Sequence, residues 1–133
     1  MHLPKIIELA ELALQDLDWS GLSSLVEEVK RHNFSLIASQ SELAVKMHQE
    51  GSEFSEGLRS LAHNVLDIYE DQQDLGMDFK EAVLERDTEE IEEILDELRK
   101  CYDDLQEQKP ELERGFETEE ARRLKFDDEF YLE

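Results

Sequence analysis

The residues of this chain able to do chemistry are overwhelmingly carboxylates. Between residues 88 and 107, Glu89, Glu92, Glu93, Asp96, Glu97, Asp103 and Asp104 recur at helical spacing opposite an apolar stripe of Ile91, Ile94, Leu95, Leu98, Tyr102 and Leu105. Carboxylates on successive turns set up a negative potential that draws in a basic protein, and they can imitate a row of phosphates. The plainest reading of such a run is a solvated outer face. Glu89, Glu93, Asp96, Glu97, Asp103 and Asp104 are therefore the candidate partner-binding residues. Phe126, Phe130 and Tyr131 join them from the C-terminal segment. These aromatics would enter a partner's groove while Asp127, Asp128 and Glu129 meet bases around it; folding back over the chain's own core is the alternative.

Other reactive side chains are few. His63 falls opposite the apolar face of its segment, beside Glu56, Arg59 and Asp67. An exposed mid-helix histidine, with Leu61-Ala62-His63 and the later run Phe79–Asp87, resembles histidine phosphotransfer domains. That resemblance implies a phosphoryl group carried on His63. Asn64, Val65, Leu66 and Asp67 stand where that family has a lysine and then a glycine, and Asp67 would repel a phosphate. Glu89-Glu90-Ile91-Glu92-Glu93 is similar to the first acidic motif of MazG-type nucleotide pyrophosphohydrolases, which implies Mg²⁺ held by carboxylates of two helices. No second motif accompanies it on the central helix. Bundle di-iron sites place a Glu three residues before a His, whereas Val29, Val45 and Ser60 precede His32, His48 and His63. Cys101, at the edge of the apolar stripe, reads as a small core residue, with no histidine near it in sequence to activate it. No metal and no cofactor is expected.

The elements that must position these groups are helices. Charged residues reach 38% of 133, apolar residues 39%, and Gly (5) and Pro (2) are scarce, the profile of long amphipathic helices around one core. Phe54–Tyr69 reads as the central helix, because Leu58, Leu61, Ala62, Val65, Leu66 and Tyr69 form a face broad enough to need several neighbours. Pro4–Asp16 is predicted as a first helix. Ser20 is expected to cap a second over Gly21–Glu50, in which Leu22, Val29, Leu36 and Leu43 fall seven apart. Ser52 is expected to cap the central helix, which would end by about residue 73 and be followed by a short helix over Asp78–Glu85. Thr88–Glu107 is predicted to stop at Lys109-Pro110, since proline lacks a donor and clashes with the preceding turn. The expected fold is all-α: an up-and-down bundle of four to five helices over residues 1–109. A C-terminal tail over 110–133 would hold a short helix and the acidic, aromatic segment. The expected core is Leu25, Val29, Leu36, Leu58, Leu61, Val65, Leu66, Ile94, Leu95 and Leu98.

Charge decides the class of partner. The net charge is −22, of which residues 1–66 carry −5 and residues 67–133 carry −17. Direct binding to nucleic acid or an anionic membrane would be opposed by repulsion, and a protein partner with a basic surface is favoured. No stretch approaches the roughly 18 apolar residues that span a bilayer. One cysteine allows no internal disulfide. A cytoplasmic location follows as the default, with a monomer or homodimer. Leu17-Asp18-Trp19-Ser20-Gly21-Leu22 is similar to a tryptophan–leucine helix junction of flagellar and type III export chaperones, which implies a small acidic helical chaperone. The function expected is a non-enzymatic module (an inhibitor, an immunity or antitoxin-like factor, or a chaperone) that masks a basic surface. Phosphotransfer through His63, a nucleic-acid mimic and a Mg²⁺-dependent hydrolase are the alternatives.

Overall fold

Four α-helices account for nearly all of the described residues: α1 (Leu3–Gln15), α2 (Trp19–Glu50), α3 (Glu56–Glu85) and α4 (Thr88–Tyr131), with one 3₁₀ turn over Gly51–Glu53. The computed structural model describes the backbone of residues 2–131 and the side chains of residues 2–123. Each start has a local cause. Pro4 sits in the first turn of α1. Asp18 accepts the Gly21 N–H at 2.9 Å, Ser55 accepts the Leu58 N–H at 3.2 Å, and Asp87 accepts the Glu90 N–H at 3.2 Å. The caps of α2 and α3 are thus Asp18 and Ser55, in place of the expected Ser20 and Ser52. At the far end of α3, Arg86 adopts left-handed backbone at φ 55° and turns the chain into α4.

The long helices run antiparallel, as their two cores reveal. One core joins α1 (Leu3, Ile6, Ile7, Ala10) to the start of α2 (Leu22, Leu25, Val29). It also takes in the end of α3 (Leu75, Phe79, Ala82, Val83) and the start of α4 (Ile91, Ile94, Leu95, Leu98). The other joins the start of α3 (Leu58, Ala62, Val65, Tyr69) to Leu105, Leu112 and Phe116 of α4, with Phe54 between the helices and Leu36, Leu43 and Met47 of α2 packed on it. The molecule is therefore a four-helix bundle at one end and a three-helix bundle at the other. Gln72 lies between the two cores, 1% exposed, with its Oε1 unpartnered. At the same level Gln73 donates to Gln40 at 2.5 Å.

Two helices are longer than expected. Residues 70–76 continue α3 without a break, because Gln72 and Leu75 are buried while Glu70, Asp71 and Asp74 face out. Helix α4 passes straight through Pro110. Pro110 is exposed, and Leu112 and Phe116 beyond it are buried. Their burial, with side-chain contacts further on, offsets the backbone bond that proline removes. Helix α4 therefore crosses the position where the bundle was expected to give way to a tail. Of the expected core, Leu25, Val29, Leu58, Val65, Ile94, Leu95 and Leu98 are buried, while Leu36, Leu61 and Leu66 are half-buried on the three-helix stretch.

Candidate functional site

The acidic row of α4 stands where its periodicity places it. Ile91, Ile94, Leu95 and Leu98 point inward, which turns Glu89, Glu93, Asp96, Glu97, Asp103 and Asp104 outward, all exposed. Helix α3 packs alongside α4 and adds carboxylates that the sequence reading left out. Asp71 and Asp74 line an open cleft with Glu97, Lys100 and Cys101. Slight shielding, followed by repulsion from Glu93, Asp87, Asp78 and Glu97, holds the Glu90 carboxyl above its ordinary value. The acidic surface therefore spans two helices. Its signal in the sequence was the i, i+3, i+7 spacing of Asp71, Asp74 and Asp78, hidden because the central helix is expected to end by about residue 73.

Few bases neutralise this face. Among the described residues, Arg99 reaches Asp96 at 3.8 Å and also pairs with Glu11 of α1, and Glu89, Glu93, Glu97, Asp103 and Asp104 take part in no ion pair. The other cross-helix ion pairs lie elsewhere, where they tie helices together. Lys46 of α2 donates to Glu120 at 2.7 Å, and Arg123 pairs with Glu53. The Lys46 hydrogen bond holds the Glu120 carboxyl below its ordinary value. Phe54 and Phe116 pack with ring centroids 4.9 Å apart and planes tilted at 49°, with the Lys46 ammonium 4.4 Å from the Phe116 ring and the Arg123 guanidinium 5.1 Å from Phe54. Glu119 accepts the Ser55 N–H at 3.1 Å. These contacts clamp the second half of α4 over the α2–α3 connection, well away from Glu89–Glu97.

The remaining candidates show no catalytic geometry. Burial, then repulsion from Asp71, Asp104 and Glu97, raises the Cys101 pKa to about 11, so its thiolate is scarce at neutral pH. His63 is exposed on α3 within the three-helix stretch, between Arg59 and Asp67. His32 of α2 is half-buried, and desolvation leads the causes that lower its pKa. Ile91 of the Glu89–Glu93 run is a core residue, so the four glutamates point to solvent. Among the described residues no group of three or more His, Cys, Asp or Glu is placed to hold a metal ion. Trp19 packs half-buried on the four-helix core under the Arg86 guanidinium at 5.6 Å. The side chains of Phe126, Phe130 and Tyr131 lie outside the described residues. No described helix is long and apolar enough to cross a membrane. Comparison with protein-family models, with curated proteins and with solved structures gave no match.

Proposed function

We propose that this chain is a binding module without a catalytic step, whose α3–α4 face masks a basic surface on a protein partner. One observation carries the reading: carboxylates of both helices share one outward face, and among the described residues Asp71, Asp74, Glu93, Glu97 and Asp104 take part in no ion pair. A surface kept negative in this way steers a basic partner toward it and speeds association more than it slows dissociation. Phe126, Phe130 and Tyr131 are proposed to add apolar anchorage once the charges have met. An inhibitor, an immunity or antitoxin-like factor and a chaperone all fit this mechanism.

The test uses a partner captured by crosslinking in the native host and then purified. Neutralising Asp71, Asp74, Glu93, Glu97 and Asp104 to the corresponding amides should slow association by about tenfold at low salt and flatten its salt dependence. Deleting residues 124–133 should instead speed dissociation. A cut at residue 108 would not serve, because it also removes the buried Leu112 and Phe116. The proposal is abandoned if association rate and salt slope are the same with and without the five acids.

A further inference from the structure

The flank of α3 that meets α2 carries a groove of contrasting chemistry. Helices α2 and α3 leave between them a groove of about 270 Å³ whose lining includes Lys30, Phe34 and Ile37 of α2 and Gly76, Met77 and Lys80 of α3. Phe34 is 73% exposed, Met77 71% and Ile37 44%. Apolar side chains exposed together mark interaction surfaces. At Gly76 a methyl group would collide with the Asn33 amide, so the missing side chain lets α2 and α3 close beneath the groove. Along α2 the lining runs from Val26 to Ile37, about 16 Å or three turns, the footprint of a short docked helix.

Charge selects the occupant. The chain has 36 acids against 14 bases, yet no carboxylate lines this groove and its charged residues are Lys30 and Lys80. Both lysines are exposed, and neither forms an ion pair among the described residues. A second copy docking about a two-fold axis would set these lysines against their own counterparts. We infer that the α2–α3 groove binds an acidic amphipathic helix of another protein: the apolar stripe lies on Phe34, Ile37 and Met77, and carboxylates at its edges meet Lys30 and Lys80. At physiological salt the screening length is about 8 Å, so the lysines that line the groove act on its occupant more strongly than charges beyond that distance. The groove shares helix α3 with the acidic face and takes an occupant of the opposite charge.

The experiment titrates the full chain with two synthetic helical peptides that share one Leu/Phe stripe, one carrying glutamates and the other lysines at every remaining position. Fluorescence anisotropy at physiological salt should show the glutamate peptide binding whether or not Asp71, Asp74, Glu93, Glu97 and Asp104 are replaced by amides, and the lysine peptide losing affinity when they are. The double variant Lys30→Glu/Lys80→Glu should weaken the glutamate peptide about tenfold and leave the lysine peptide no weaker. Phe34→Ser/Met77→Ser should abolish binding of the glutamate peptide, and because both residues are exposed, helical circular dichroism should be unchanged. Neutralising Glu93 and Glu97 should leave the glutamate peptide's affinity unchanged, which separates this site from the acidic face. The inference fails if Lys30→Glu/Lys80→Glu leaves the glutamate peptide's affinity unchanged, or if replacing the five α3–α4 acids by amides abolishes that peptide's binding. It fails equally if sedimentation of the chain alone reveals a dimer that Phe34→Ser dissociates, for the groove is then filled by a second copy.

Discussion

At one end of the molecule α1 closes the bundle, and among the described residues fifteen buried apolar residues form one cluster there. At the other end α2, α3 and α4 continue without a fourth helix, and eight of the described residues are buried, with Leu36, Leu43, Met47 and Leu61 only partly covered. The two ends compensate differently. The four-helix end is held mainly by burial, and its outside is left free to carry an almost unneutralised acidic face. Among the described residues the three-helix end buries fewer apolar side chains and gathers more polar contacts: the Phe54–Phe116 pair flanked by Lys46 and Arg123, the Glu120–Lys46 bond, and Glu119 on the Ser55 amide. The four-helix end has the Arg99–Glu11 pair and Arg86 over Trp19.

This contrast can be broken or sharpened by substitution. The largest effect should come from Phe79→Ala, which empties a fully buried site in the four-helix core and should cost about 3–5 kcal/mol of global stability in denaturant unfolding. Phe116→Ala should cost about 3 kcal/mol, the low end of that range because the side chain is 8% exposed, with faster amide hydrogen exchange confined to the second half of α4 and the α2–α3 connection. Equal acceleration of exchange across both ends would show a single cooperative core and end the comparison. Next is Pro110→Ala, which restores a helix donor at an exposed position. It should raise stability by up to about 3 kcal/mol and slow exchange mainly around residues 106–114. No gain would mean that α4 bends at Pro110 to follow α3.

Gln72→Leu is smaller. The buried Oε1 has no partner, so an apolar side chain of similar size should stabilise by about 1–2 kcal/mol and couple the two cores more tightly. A loss of stability would reveal that Gln72 holds the register of the helices. The smallest effect is pH-dependent. Cys101 has a pKa of about 11 in the folded chain against 9.0 for the free group, so the unfolded state loses its proton first. Its contribution is therefore complete below pH 9 and declines as the pH rises from 9 to 11. Cys101 is half-exposed, so after discounting for solvent screening this decline is at most about 1 kcal/mol. It should be missing when the alkaline unfolding profile of Cys101→Ala is compared with that of the unaltered chain.

Much of the fold was legible residue by residue. The stripe Ile91, Ile94, Leu95, Leu98 and Leu105 marked α4, and its outward acids followed from the same period. Pro4 marked the start of α1. The reading failed where a local signal competed with packing. Pro110 is a stop signal by its own chemistry, and only the burial of Leu112 and Phe116 and the clamp on Ser55 and Lys46 carry α4 past it. The central helix is expected to end by about residue 73 because the stretch is polar at Gln72 and Gly76 is a weak helix former, yet both face helices that arrive from elsewhere in the chain.

Periodicity and charge order were enough to decide that the chain is helical, that its outside is acidic and that its second half carries most of the charge, because these depend on neighbours three and four residues apart. Only the packed structure decided where the helices stop, that Asp71, Asp74 and Asp78 join the acids of α4, and that Lys30 and Lys80 frame an apolar groove. Those outcomes depend on which helix lies against which, and that is set by the total area buried between residues distant in sequence rather than by any short run of them.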